Sequence, residues 1–298
     1  FSIQTQFHMS QKIISNFKSR KRDLELVEDA LLESTSLRLV SDVPISFLLS
    51  GGIDSSLISK LASKKLHEPL QTYYLGYEDK EDIFEELAEY VAQNINSSHT
   101  TYKIKTVSLD STLDKIVSVF DEPFGDYSAI PSLEIYNNIS KKNKVAIAGD
   151  GADEIFSGYK ESKLFFLKSL LPTLSLKSEW LLDLFYQIFD SPLKLMRYSG
   201  YLASLFLMED GNLSHSTSKG GWNNYFRSRF MTPEGYEITG KNFCELKEKK
   251  DFLNSGENSF ERYLNYELKR LTYDYLVKVD RCSMASSLEV RSPYIDRG

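Results

Sequence analysis

The chain has 298 residues and 41% hydrophobic content, enough for one large domain or two smaller ones with a sizeable core. Its formal net charge of −6 leaves no basic excess to neutralise a duplex, which argues against a dedicated nucleic-acid binder. No apolar run approaches the ~20 residues that span a bilayer and the start has no signal-peptide pattern, while Cys244 and Cys282 lie far from any Cys-x-x-Cys or histidine pairing; this excludes a sequence-local zinc site and makes a reducing cytoplasm the expected compartment.

In chain order, the spacing of Leu24, Val27, Ala30, Leu31, Ser34 and Leu37 predicts an amphipathic helix over 23–40, N-capped by Asp23 or Ser19. The basic run from Lys18 to Arg22 reads as its solvated entry. Pro44-Ile45-Ser46-Phe47-Leu48-Leu49 reads as a buried strand, and a helix follows from Leu57 to about Leu66. A second strand is expected at 71–76, a helix across the acidic stretch 78–94, and a third strand at 99–104. Helices near 113–120 and 128–139 and a fourth strand at 144–148 complete the alternation. Strands alternating with helices imply an α/β fold, a parallel sheet covered on both faces, with ligands beyond the carboxyl ends of the strands. The loops after the first and fourth strands can therefore meet over one site. After Tyr159 the pattern is mostly helical through Leu207, 211–224 is a polar glycine-rich loop, and helix resumes over 259–279. No internal repeat is visible.

The most informative stretch is Ser50-Gly51-Gly52-Ile53-Asp54-Ser55-Ser56, between the first strand and its helix. A helix N-terminus offers N–H groups and the positive end of a dipole, and two glycines let a phosphate approach the backbone. Neither Gly-x-x-x-x-Gly-Lys-Ser/Thr nor Gly-x-Gly-x-x-Gly is present at this turn. Where the first of these has lysine, this loop has Asp54, and an anion beside a polyphosphate implies Mg²⁺ between them. The plainer alternative is a glycine turn whose Asp and Ser only cap the helix.

That string resembles the pyrophosphate-binding loop of the ATP pyrophosphatases that form acyl-adenylates. Gly149-Asp150-Gly151-Ala152-Asp153-Glu154-Ile155-Phe156-Ser157-Gly158-Tyr159 narrows the resemblance to the synthetase domain of glutamine-dependent asparagine synthetases. Asp121-Glu122-Pro123-Phe124 and Asp280-Arg281-Cys282-Ser283-Met284, then Ser287-Leu288-Glu289-Val290-Arg291-Ser292-Pro293-Tyr294-Ile295-Asp296, look like further motifs of that family in the same order.

The resemblance implies an adenine nucleotide alpha hydrolase-like fold and an ATP-dependent, AMP- and pyrophosphate-forming amide synthetase with aspartate as default acceptor. Ser50, Gly51, Gly52, Ser55 and Ser56 would bind pyrophosphate, Asp54 and Asp153 would hold Mg²⁺, and Leu49, Leu75 and Gly149 would contact adenosine. Asp150 would lie close to the acceptor, with Glu154, Tyr159, Asp280 and Arg281 as further candidates. The family often has glutamate where Asp150 stands and serine where Ala148 stands, so an asparagine synthetase-like enzyme for a sugar acid or peptide, or a ring-closing amide synthetase, is the alternative. A non-catalytic nucleotide-binding module is a third reading, which the two metal carboxylates oppose.

By the same resemblance, 1–41 would be a helical lead-in from a missing glutaminase domain, 42–160 the ATP-binding core, and 161–298 a helical remainder truncated at its end. Ammonia would come from glutamine through that domain, whose nucleophilic cysteine is neither Cys244 nor Cys282; a homodimer is a family expectation. The family's adenylation lysine falls beyond Gly298, and Lys278 is expected to be structural or solvated. Glu289 and Arg291 are expected to form a buried structural ion pair.

Overall fold

A computed structural model describes residues 20–78, 82–104, 109–122, 124–169, 232 and 254–296. The chain runs through α1 (Arg20–Arg38), β1 (Ile45–Leu48), α2 (Ile53–Ser63), β2 (Gln71–Tyr77), α3 (Ile83–Asn94), β3 (Ser98–Ile104), α4 (Leu109–Phe120), α5 (Ala129–Ser140), β4 (Val145–Ile147) and the short α6 (Ala152–Phe156). Further on come α7 (Lys160–Ser169), α8 (Ser259–Arg270), α9 (Leu276–Ala285) and β5 (Glu289–Arg291). The strands form one parallel sheet in the order β3-β2-β1-β4-β5, so the α/β reading holds.

Alternation along β1 divides the core. Phe47 faces Leu31, Ile58, Leu61 and Ala62 of α1 and α2, and Leu49, just past the strand, packs on Tyr74, Ala88 and Ala92. Leu48 points the other way, into a cluster with Phe120, Leu133, Tyr136, Ile139 and Cys282 of α4, α5 and α9. Helices therefore cover both faces, as buried parallel strands require. The Cys282 thiol is buried, lies 3.7 Å from the Ala129 carbonyl oxygen, and is pushed up to about 11 by that burial, so it is a packing residue. Cys244 lies outside the described residues.

Element boundaries moved where caps were misread. Asp23 sits inside the first turn of α1 rather than capping it, and Ser19 lies outside the described residues. The third helix starts only at Ile83, because Asp82 Oδ1 accepts from the Phe84 N–H at 3.0 Å. Four strands were expected; β5 is a fifth, too short for a periodic signal. Of the expected helices between Tyr159 and Leu207, only the part within α7 is described, and the 211–224 loop lies outside the described residues.

The chain divides into two compact units, 1–152 with 274–298 and 153–273. The first holds the sheet. In the second, α7 packs on α8 through Phe165 stacked on Tyr263, with ring centres 4.6 Å apart. Asn258 caps α8 by accepting from the N–H groups of Phe260 and Glu261, both at 3.0 Å. No helix among the described residues is long and apolar enough to cross a membrane.

Glu289 and Arg291 do pair, Nε to Oε1 at 2.7 Å, but not in a buried setting: the Glu289 side chain is 57% exposed. Two residues apart on one strand, both side chains lie on the same face, here at the sheet edge. Arg291 does more from its Nη1, which donates to the Arg38 carbonyl at 2.9 Å and the Val40 carbonyl at 2.7 Å. The last carbonyls of a helix have no intrahelical partner, and a guanidinium there also complements the dipole. Arg291→Ala is expected to lower unfolding free energy by about 2 kcal/mol and Glu289→Ala by less than about 1 kcal/mol, read from urea unfolding of the two variants.

Candidate functional site

The loop after β1 owes its shape to two glycines. Gly51 has φ of +73°, and a Cβ there would stand 2.6 Å from the Phe84 carbonyl oxygen and 2.8 Å from the Ala88 nitrogen. Gly52 is the N-cap of α2 and makes no side-chain cap hydrogen bond, so the positive end of that helix is left to a ligand instead of a capping hydroxyl. The serines close the loop on itself. Ser50 and Ser55 hydroxyls lie 2.9 Å apart, and the Ser50 N–H donates to Ser55 Oγ at 3.1 Å. Ser56 Oγ is buried with no hydrogen-bond partner among the described residues, which is costly unless a ligand or water supplies one.

The loop after β4 meets this one. A Cβ on Gly149 would sit 3.0 Å from the Ser55 nitrogen and 3.3 Å from the Asp54 carbonyl carbon. Backbone contact this close is open to glycine without displacing a neighbour. The Tyr294 hydroxyl supports the junction from behind, donating to the Asp54 carbonyl oxygen at 3.0 Å. Asp150 follows Gly149 and is partly buried; burial pushes its carboxyl up, while the charge of Lys278 pulls it down. Ser50, Gly51, Gly52, Asp54, Ser55, Ser56, Gly149 and Asp150 therefore gather at the carboxyl end of β1 and β4.

Other candidates stand further back. The Leu49 side chain is fully buried in the core, so only its backbone is available to a ligand at the strand end, while Leu75 is half-buried against the cluster that holds Tyr73. Arg281 Nη1 donates to the Phe120 carbonyl at 2.8 Å, holding the end of α4. Asp280 is exposed. In the second unit, Glu154 is buried and its Oε1 accepts from the Tyr159 hydroxyl at 2.5 Å, while the Asp153 carbonyl accepts from the Gly158 N–H at 3.0 Å. These bonds tie the two ends of the Asp153–Tyr159 segment together.

Lys278 was expected to be structural or solvated, and it is not solvated. Its side chain is only 13% exposed, with Nζ 3.2 Å from Asp126 Oδ2 and 2.8 Å from Ser128 Oγ. Asp126 was not singled out in the sequence, since a lone acid after Gly125 carries no motif. Among the described residues no group of three or more His, Cys, Asp or Glu side chains gathers to form a metal site. Gly51→Ala is expected to cost about 3 kcal/mol and to abolish nucleotide binding, since it adds a left-handed conformation to a clash. Gly52→Ala, with φ of −72° and only the Ser50 hydroxyl at 3.3 Å, is expected to cost less than about 1 kcal/mol; thermal unfolding and nucleotide titration distinguish the two.

The sequence profile of the asparagine synthase family matches residues 26–298. The chain is similar to a putative glutamine-hydrolysing asparagine synthetase 2 of Methanocaldococcus jannaschii, 27% identical over 281 residues, covering 89% of this chain and 50% of that protein. It is 29% identical over 292 residues to asparagine synthetase 1 of Bacillus subtilis, covering 91% of this chain and 42% of that one. The human asparagine synthetase is 32% identical over a shorter stretch of 144 residues, 45% of this chain and 25% of that protein. The chain thus spans half or less of the length of these curated relatives. With its profile matched over most of its length, the chain belongs to the asparagine synthase family.

Proposed function

We propose that the protein is an ATP-dependent, AMP- and pyrophosphate-forming amide synthetase that converts aspartate to asparagine through a β-aspartyl-adenylate. The observation that carries this reading is the junction of the two loops, where Gly149 lies against the Ser55 backbone and Gly51 turns against α3, both beside the start of α2, which has no side-chain cap. In the first step a carboxylate oxygen attacks the α-phosphorus of ATP and pyrophosphate leaves. Gly51 and Gly52 N–H groups and the Ser50, Ser55 and Ser56 hydroxyls bind the departing pyrophosphate, and the unpartnered Ser56 Oγ suits such a contact. The backbones at Leu49, Leu75 and Gly149 hold adenosine.

Asp54 and Asp153 would hold Mg²⁺, which takes few protein carboxylates and completes its shell with water and phosphate oxygens. Bound there, the metal would offset charge on the leaving group. Asp150 lies beside the acceptor acid. Glu154 and Tyr159 shape the segment that carries Asp153, and Arg281 acts from behind by holding the end of α4. In the second step ammonia, derived from glutamine by a glutaminase domain, attacks the acyl carbon, and AMP leaves. The aspartate at position 150 and the alanine at 148 favour a second reading, the same chemistry on another carboxylic acid.

Incubating the full-length protein with Mg²⁺-ATP, L-aspartate and either glutamine or ammonia should yield AMP and asparagine in equal amounts. AMP absent with aspartate but formed with another acid would replace the substrate and keep the chemistry; AMP formed with no acid at all would overturn the proposal. Asp54→Ala and Asp153→Ala are each expected to lower turnover by about 100-fold or more, checked by AMP release across a Mg²⁺ titration.

A further inference from the structure

α3 turns its larger apolar side chains away from the sheet. Ile83, Phe84, Leu87 and Tyr90 are exposed, and the helix buries only Ala88 and Ala92, against Leu49 and Tyr74, with Val91 partly buried beside them. Two alanine methyls bury little apolar surface, so packing alone leaves the first turn of α3 weakly placed. Polar contacts hold that turn instead. Asp82 uses both carboxylate oxygens: Oδ1 accepts from the Phe84 N–H at 3.0 Å, and Oδ2 accepts from the Tyr74 hydroxyl on β2. A helix cap needs only one of these oxygens; the second joins the cap to the sheet. Glu85 adds a tie to the neighbouring strand, its Oε1 3.1 Å from Lys103 Nζ on β3. Burial, and then the Asp82 carboxylate, raise the Tyr74 hydroxyl, which therefore stays protonated as the donor.

The turn held in this way is the one on which the phosphate loop rests. A Cβ on Gly51 would stand 2.6 Å from the Phe84 carbonyl oxygen, 2.8 Å from the Ala88 nitrogen and 2.9 Å from Leu87 Cβ, so the Gly51 backbone lies directly against it. Phe84 is held through its N–H by Asp82 and meets Gly51 with its carbonyl. A line of contacts thus runs from Tyr74 through Asp82 and Phe84 to Gly51. Gly51 takes the left-handed conformation there, and Gly52 starts α2 one residue later. A shift in the first turn of α3 would remove the stop behind Gly51 and re-aim the Gly51 and Gly52 N–H groups.

We propose that Tyr74 and Asp82 are positioning residues for the phosphate loop: they hold the first turn of α3 as the stop against which Gly51 turns, and so aim the loop N–H groups at a pyrophosphate. This deepens the proposed function and rests on its reading of the loop as pyrophosphate-binding. The test measures equilibrium binding of Mg²⁺-pyrophosphate and of adenosine to the full-length protein, the first probing the loop and the second the strand ends. Tyr74→Phe should weaken pyrophosphate about tenfold and Asp82→Ala about 30-fold, with adenosine affinity held within about twofold. Asp82→Asn, whose amide oxygen accepts from Phe84 while its NH₂ donates to Tyr74, should stay within about threefold of the unmodified protein. Asn94→Ala removes a hydrogen bond to the Tyr90 carbonyl at the far end of the same helix and should leave both affinities unchanged. Unchanged pyrophosphate affinity in Tyr74→Phe and Asp82→Ala, an equal loss in Asn94→Ala, or pyrophosphate and adenosine affinities falling together would overturn the proposal.

Glycine-selective ¹⁵N labelling separates the proposal from the proposed function. If the unmodified protein binds no pyrophosphate, the reading of the loop fails, and the amide resonances of Gly51 and Gly52 still decide about Tyr74 and Asp82. Resonances displaced in Tyr74→Phe and not in Asn94→Ala support the line of contacts, and unmoved ones refute it. Tyr74→Phe, which removes only a hydroxyl, carries both readouts if Asp82→Ala does not fold.

Discussion

Backbone meets backbone where Gly149 passes the first turn of α2, and the rest of the site depends on that approach. A side chain on Gly149 would stand 3.0 Å from the Ser55 nitrogen, so the loop after β4 comes this close to the first turn of α2 because Gly149 presents no Cβ at the contact. The parallel pairing of β1 with β4 brings the two loops to the same end of the sheet, and Tyr294, from the far end of the chain, holds the Asp54 carbonyl from beneath. A helix N-terminus is a generic anion site, and here the second loop closes its side.

Long buried strands and amphipathic helices were legible because periodicity records which face is covered. β1, β2, β3 and β4 and their helices follow the hydrophobic pattern to within a few residues, and the loop junction follows from the parallel order. β5 was not legible, since three residues cannot display a period and its partner lies some 140 residues earlier. Asp126 escaped, and Lys278 was read as structural or solvated without its partner, for a related reason: the contact spans 152 residues, and neither belongs to a local pattern that names a partner. Glu289 and Arg291 were read as a pair correctly in identity and wrongly in setting, because a sequence shows the alternation of a strand and not which of its edges is bare.

Charge in the first unit is distributed so that cations reach helix ends from elements distant in sequence. Arg291 closes α1 and Arg281 closes α4, each with a guanidinium against carbonyls that the helix itself cannot satisfy. Lys278 is the contrast, because it reaches a helix start, where it pairs with the Asp126 carboxylate that accepts from the Ser128 N–H. The two arginines follow electrostatic expectation, and the lysine is offset by the Asp126 carboxylate beside it.

The first unit is interrupted in sequence by the second, since its closing segment begins only after residue 273. During synthesis β4 is therefore complete while its edge has no neighbour, and residues 153–273 must be made before β5 can reach it. At typical bacterial or eukaryotic elongation rates that interval is about 6 to 24 s, long compared with the formation of helices or hairpins. The Ala146 backbone and its neighbours form an unpaired parallel edge for that time, the kind of surface that invites pairing with another chain. A protein so arranged is more exposed to misassembly while on the ribosome than after release, and its yield should depend on translation speed through the 153–273 region.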